Sequence, residues 1–203
     1  METPRERKQK RRNERIQRSA IELFSSQGFE ATTMGKIADL ADLAVGTLYN
    51  YYPSKGDLLL SIISDRSHVF IDSLESKLKE PGDSVVEAIM YFFENYLESF
   101  SVYPKLLWRE FLGFALSKEP KFMSHIADID SEFIQLLSQL LVSFQKKGLV
   151  RSEVDTNTAT LTLYNVLFAQ LHVFVANSEM TLDHLKESLR ASVEFIFIGL
   201  VAS

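Results

Sequence analysis

Residues 32 to 55 read T-T-M-G-K-I-A-D-L-A-D-L-A-V-G-T-L-Y-N-Y-Y-P-S-K, and three of the chain's seven tyrosines fall between positions 49 and 52. Thr33 is a strong helix N-cap, and Ile37, Ala38, Leu40 and Ala41 recur behind it at helical spacing, which predicts a short helix through Ala41 with those four residues buried. A second short helix follows over Val45 to Tyr51. Pro53 ends it, Ser54 caps the next, and from Lys55 a long amphipathic pattern begins with Leu58, Leu59, Ile62 and Ile63. Upstream, Ile16, Ala20, Leu23 and Phe24 form one face of a helix over about Asn13 to Gln27, which Gly28 terminates.

On a helical wheel at about 100° per residue, Val45, Leu48 and Tyr52 cluster on one face and Gly46, Thr47 and Asn50 on the other. Tyr49 and Tyr51 occupy the two flanks. A helix held down by Val45, Leu48 and Tyr52 presents a small polar ridge between two phenols. Insertion into a DNA major groove asks for that arrangement: little bulk toward base edges, and hydroxyls at either side to reach phosphates. Lys55 adds a cation and a helix N-terminus for a further phosphate. Tyrosines at such spacing are ordinarily core residues with a satisfied hydroxyl, and Tyr52 takes that reading.

The run from 32 to 55 resembles the DNA-binding signature of the tetracycline-repressor (TetR) family: two threonines, a short I-A helix, then G-T-L-Y-x-Y-[FY]-x-S-K. The phrase A-x-x-L-F-x-x-x-G-[FY] also matches, from Ala20 to Phe29. The resemblance covers about residues 13 to 60 in motif and the rest in length and helical character. It implies that Thr33, Tyr49, Tyr51 and Lys55 touch phosphates, and that Val45, Gly46, Thr47 and Asn50 lie at the groove floor. Three positions depart from the family. Asp42 stands where a turn glycine is usual, at some cost in a left-handed backbone. Ala44 replaces a serine cap generally worth ~1 kcal/mol. Val45 replaces a commonly polar or basic residue, so base readout leans on apolar contact such as a thymine methyl.

The remaining chain is also helical in pattern, with only five prolines and eight glycines to punctuate it. Breaks at 81–84, 103–104, 119–120, 147–148 and 177–178 divide residues 55 to 203 into about six helices. The expected fold is therefore all-α, with about nine helices. A three-helix helix-turn-helix domain with a basic N-terminal arm occupies 1–54, and a larger helical effector-binding and dimerisation domain occupies 55–203. Ten aromatics crowd residues 90 to 122. The family implies an effector cavity in this region, and Phe93, Tyr96, Phe100, Trp108, Phe111, Phe168 and His172 are its candidate lining for a small hydrophobic or aromatic ligand. The last two helices are apolar over more than one face, as expected of a four-helix homodimer interface. A dimer spaces two recognition helices about one DNA turn apart on a pseudo-palindromic operator.

Charge follows the same division. Residues 1 to 60 hold ten Lys/Arg against eight Asp/Glu, and residues 61 to 203 hold 12 against 19. Eight of the first 18 residues are basic, a run that serves as a solvated helix start, a frayed arm or a contact to nucleic acid. There is no cysteine, hence no disulfide frame, thiolate metal site or cysteine nucleophile. The longest apolar run, near Val193 to Ala202 and interrupted by Glu194, is at most about half of the ~20 residues a membrane span needs. A cytoplasmic protein without membrane association is expected. A helical-bundle enzyme is the rival reading, but its di-iron version needs paired Glu-x-x-His motifs, and only Asp65-x-x-His68 comes near. No phosphate loop, dinucleotide glycine pattern, nucleophile elbow or zinc motif occurs, so no catalytic residue, metal or cofactor is expected. A helical adaptor that binds no DNA would leave Tyr49, Tyr51 and Lys55 without a purpose.

Overall fold

The structure, a computed structural model, describes residues 3–78, 81–101, 103–115 and 120–198. Nine helices and no strand occur among them: α1 (Pro4–Gln27), α2 (Met34–Leu40), α3 (Val45–Tyr51), α4 (Lys55–Leu78), α5 (Val85–Ser101), α6 (Lys105–Ala115), α7 (Pro120–Lys146), α8 (Thr156–Ala176) and α9 (Leu182–Ile198). The chain divides into two compact units, Met1–Asp65 with Tyr103–Phe122, and Arg66–Val102 with Met123–Ser203. Residues 1–54, expected from the sequence to read DNA, lie within the first, together with the opening turns of α4 and with α6.

In the first unit α1 is longer than its apolar pattern indicates, because its start is fixed by polar chemistry. Thr3 Oγ1 accepts from Glu6 N (3.3 Å) and Glu6 Oε2 accepts from Thr3 N (2.7 Å), a closed capping box with Pro4 at the first helical position. Those bonds hold the Glu6 carboxyl below its ordinary value. At the other end Gly28, at φ 85°, stops the helix with its N–H on Phe24 O. Ile16, Ala20 and Phe24 are buried as expected.

The helix pair α2 and α3 packs on α1 through Met34, Ile37, Ala38, Ala41 and Leu48. Leu40, expected in this core, is exposed. A seven-residue helix buries one narrow face, and Met34, one turn before Ile37 and Ala38, completes it while Leu40 falls about 110° away. Val45 likewise fails to anchor α3, being 38% exposed. It is the first residue of the helix, and side chains lean toward the N-terminus, so it projects past the surface against which Leu48 packs.

The second unit is built around α9, which packs on both α5 and α8. Leu185, Leu189, Val193 and Phe197 make a buried stripe at helical spacing, matched on α8 by Leu163, Leu167, Leu171 and Val175. Arg190 grips Glu87 in a fork (2.6 and 3.2 Å), and Lys186 reaches Glu98 (3.0 Å), joining α9 to α5. Among the described residues α8 alone is long and apolar enough to cross a bilayer by length and composition, although a third of it is buried here. Its apolar surplus lies partly on the outside. Leu161 and Val173 of α8, and Phe195 and Ile198 of α9 (79% and 81%), are all exposed.

Candidate nucleic-acid interface

A left-handed residue and a helix start without a side-chain cap shape the turn between α2 and α3. Asp42 adopts φ 51°, the left-handed conformation that the turn demands and that aspartate tolerates better than most residues. Its carbonyl accepts from Arg15 Nη2 (3.3 Å), which steadies the turn against α1. Ala44 sits in N-cap geometry (φ −64°, ψ 138°) with no side chain to cap the helix. Its carbonyl instead accepts from Thr47 N (2.8 Å) and Leu48 N (3.2 Å).

The three tyrosines part company as the wheel indicates. Tyr52 is 7% exposed, and its hydroxyl donates to Asn13 Oδ1 while sharing a bond with Ser61 Oγ (3.2 Å). Gln17 extends the network to Ser61 (3.1 Å) and Asp65 (2.6 Å), so the end of α3 is tied to α1 and α4 by a chain of satisfied polar groups. Tyr49 is 49% exposed, and Asn50 is exposed beside it. Neither the two flanking phenols nor the Asn50 amide has a hydrogen-bond partner among the described residues.

Each flank of α3 opens on its own groove. One, of about 510 Å³, is lined by Thr33, Tyr49, Ser54 and Lys55 with Phe29, Glu30 and Gly56. It brings together three of the four residues expected to hold phosphates. The other, of about 410 Å³, contains Tyr51 and Asn50 facing Arg5, Lys8, Gln9 and Arg12 of α1. Between the two lies the ridge of Gly46 and Thr47. Gly46 has ordinary helical backbone, and a Cβ built on it meets nothing within 4 Å, so the fold itself does not require glycine there.

Lys55 has a second task that its sequence position conceals. Its ammonium donates to Phe29 O (2.7 Å) and Glu30 O (3.4 Å) and sits 4.4 Å from the Phe29 ring centre, clamping the link between α1 and α2. Thr33 is also engaged, its Oγ1 capping α2 through Lys36 N (3.2 Å).

The candidate effector residues divide between the two units. Trp108 and Phe111 of α6 belong to the first, packed edge to face at 5.8 Å. Phe93, Tyr96, Phe168 and His172 belong to the second, and the Phe100 side chain lies outside the described residues. Phe93 is buried throughout and His172 is exposed. In the second unit the rings form a relay: Tyr96 to Phe133 at 5.0 Å, Phe133 to Tyr164 at 6.4 Å, Tyr164 to Phe168 at 5.7 Å, and Phe168 to His172 at 5.5 Å. Asp130 joins it through a hydrogen bond with Tyr164. Burial raises the Asp130 carboxyl above its ordinary value, and burial beside that carboxyl raises both Tyr164 and Tyr96. Asp130, Phe133 and Tyr164 are absent from the sequence candidates, which come from the aromatic cluster at 90–122 together with Phe168 and His172. The spacing Tyr164, Phe168, His172, one helical turn each, was the signal available for one edge of the relay.

The short pair α2–turn–α3, held on α1 with a polar ridge outward, defines a helix-turn-helix protein. Residues 16–62 match the model of the tetR family of bacterial regulatory proteins. The HTH-type transcriptional repressor KstR of Rhodococcus jostii (strain RHA1) is 41% identical over 73 residues, 36% of this chain but only 32% of that relative's length. The fatty acid metabolism regulator protein of Bacillus subtilis (strain 168) is 21% identical over 79% of this chain and 82% of its own. Among solved structures, the FadR regulator of Bacillus subtilis in complex with stearoyl-CoA superposes with TM-score 0.72 at 19% identity, covering 92% of this chain and 98% of that one. Over residues 16–62 this chain carries the DNA-binding part of the tetR family of bacterial regulatory proteins.

Proposed function

We propose that the protein is a cytoplasmic, homodimeric transcriptional repressor that binds a pseudo-palindromic operator and leaves it when a small, largely apolar effector binds. The observation that carries the DNA half of this reading is the ridge of Gly46, Thr47 and Asn50, flanked on each side by a groove holding one unpartnered phenol. Residues 1–54 act as the reading head, with Thr33, Tyr49, Tyr51 and Lys55 on phosphates and Val45, Gly46, Thr47 and Asn50 on bases. Residues 55–203 take the effector and the second copy.

The dimer reading is supported by the solvent-facing Leu161, Val173, Phe195 and Ile198 on α8 and α9, an apolar surplus that a symmetric interface would cover. The apolar-effector reading is supported by the ring relay of the second unit, where the Asp130–Tyr164 pair adds one polar recognition point. Acyl-CoA is the first ligand to try, since it occupies the similarly folded Bacillus subtilis structure. Effector and operator are linked reciprocally, each weakening the other by the same factor, typically 1–3 kcal/mol of coupling. α4, which starts at Lys55 and runs unbroken to Leu78, is the element through which the two halves communicate.

The test is selection of operator sequences from a random duplex library, followed by titration of the winner in the presence of acyl-CoA and of material co-purifying with the protein. A palindromic consensus bound by two copies, and released by one of these ligands, is expected. A selected pool with no consensus would refute the operator reading. A tight ligand that leaves operator affinity unchanged would refute the effector reading.

A further inference from the structure

We propose that the first turns of α1 are a second phosphate-binding element, gripping the DNA backbone through the groove they share with Tyr51 and Asn50. This rests on the reading of α3 as the helix that enters the major groove. Arg5, Lys8, Gln9 and Arg12 follow one another at helical spacing on a single face and line one side of a groove of about 410 Å³, while Tyr51 and Asn50 line the other. The same groove therefore holds a residue assigned to bases, a phenol assigned to phosphate, and three cations.

Those cations are available. Among the described residues no carboxylate pairs with Arg5, Lys8 or Arg12. Glu6, the acidic residue of the first turn, is occupied with Thr3. The capping box and Pro4 fix the helix from its first turn, so binding has to order side chains but not backbone. From Arg5 to Arg12 the stripe extends about 10 Å, and phosphates recur every ~3.4 Å of axis along each strand, so it faces about three consecutive phosphates.

The opposite flank of α3 is differently equipped. Its groove contains Glu30, and the ammonium of its one lysine, Lys55, already bonds two backbone carbonyls. Hydrogen bonding is thus available on both flanks, whereas uncommitted positive charge lines the α1 flank. The basic run of the sequence is a built part of the reading head, and it carries most of the salt dependence of DNA binding.

The experiment measures affinity for a fluorescein-labelled random-sequence duplex by anisotropy as potassium chloride is raised, with circular dichroism to confirm that each variant stays folded. Arg5→Ala/Lys8→Ala/Arg12→Ala is expected to flatten the plot of log affinity against log salt by about 2–3 units, since each phosphate contact contributes about 0.9. Arg7→Ala/Lys10→Ala, on the far side of the helix, should leave the slope within about half a unit, well under the 0.9 of one contact. Arg5→Lys/Arg12→Lys should keep it. A steep wild-type slope that the triple variant preserves would overturn the proposal and leave the recognition helix intact. Equal loss per charge from both faces would also overturn it, by reducing the effect to a diffuse field. A wild-type protein with no salt-dependent affinity would overturn the recognition-helix reading itself.

Discussion

Removing one oxygen from each of the three adjacent tyrosines should give two opposite phenotypes. Tyr52→Phe deletes a buried hydroxyl bonded to Asn13 and Ser61. Each intramolecular hydrogen bond has a net value of about 0.5–1.5 kcal/mol, and the stranded partners are half-buried and can recover water, so the loss is about 1–2 kcal/mol. For a cooperative unit the size of the first one this is a fall in Tm of several degrees, at about 4–8 °C per kcal/mol. DNA affinity of the folded fraction should change little, because the hydroxyl faces α1 and α4. Tyr49→Phe and Tyr51→Phe delete hydroxyls that have no partner in the free protein, so stability should stay within about 0.5 kcal/mol. A hydroxyl donated to a charged phosphate contributes about 1.5–3 kcal/mol, so each change should weaken duplex binding by about 10- to 150-fold. The salt slope should not move, since no cation is lost. Thermal unfolding followed by circular dichroism and anisotropy on the same preparations give both numbers. If Tyr52→Phe is as stable as wild type, or if Tyr49→Phe and Tyr51→Phe lose stability and keep affinity, the assignment of the three phenols is wrong.

Gly46→Ala should raise stability by up to about 1 kcal/mol, because helical glycine is the poorer residue and the added Cβ meets nothing. If bare backbone there serves close approach of DNA, operator binding should nonetheless fall by about tenfold, or ~1.4 kcal/mol, and unchanged binding in a filter or anisotropy assay would remove Gly46 from the groove floor. Ala44→Ser adds the missing cap to a backbone already in N-cap geometry and should stabilise by about 1 kcal/mol in urea titration. Asp130→Asn addresses the second unit. Burial raises the folded-state value of this carboxyl above its unfolded one, so the folded state binds the proton more tightly, and stability falls as pH rises through the window just above the ordinary aspartate value. The variant should lose that slope and be more stable than wild type at neutral pH, and a variant less stable at neutral pH would show that the charged form is required.

Apolar spacing carried much of the fold. The stops and starts at Gly28, Thr33, Pro53 and Ser54 were readable to the residue because each acts locally, through a positive φ, a hydroxyl cap or a missing N–H. α1 was read nine residues short because its first two turns are polar all round, and a hydrophobic pattern is silent where nothing is buried. Leu40 and Val45 were misplaced for a related reason. On helices of seven residues, which side of the stripe meets a neighbour depends on the angle between elements, and that angle is set by the turn at Asp42 rather than by α2 or α3 themselves. The internal bonds of Lys55 were equally hidden, since Phe29 and Glu30 reach it only once α4 has folded back onto the link.

The charges of the head then separate two tasks that many DNA-binding surfaces combine. α3 contains no Lys or Arg, so on the proposed reading its base contacts are hydrogen bonds and apolar touches, which salt screens weakly. Lys36 and Lys55 are held by backbone carbonyls of the link between α1 and α2. Arg5, Lys8 and Arg12 of α1, which no carboxylate pairs among the described residues, lie beside α3 rather than on it. Residues 61–203 carry seven more acidic than basic side chains, so a polyanion is repelled by most of the chain and attracted only to its first helix. Attraction therefore acts as an orienting force before it acts as affinity. On the proposed reading it brings the N-terminal turns to a phosphate strand, and the groove shared with Tyr51 and Asn50 leaves α3 beside the bases. On the proposed reading, charge attraction is thus assigned to α1, while α3 reads bases and reaches phosphates only through the neutral hydroxyls of Tyr49 and Tyr51.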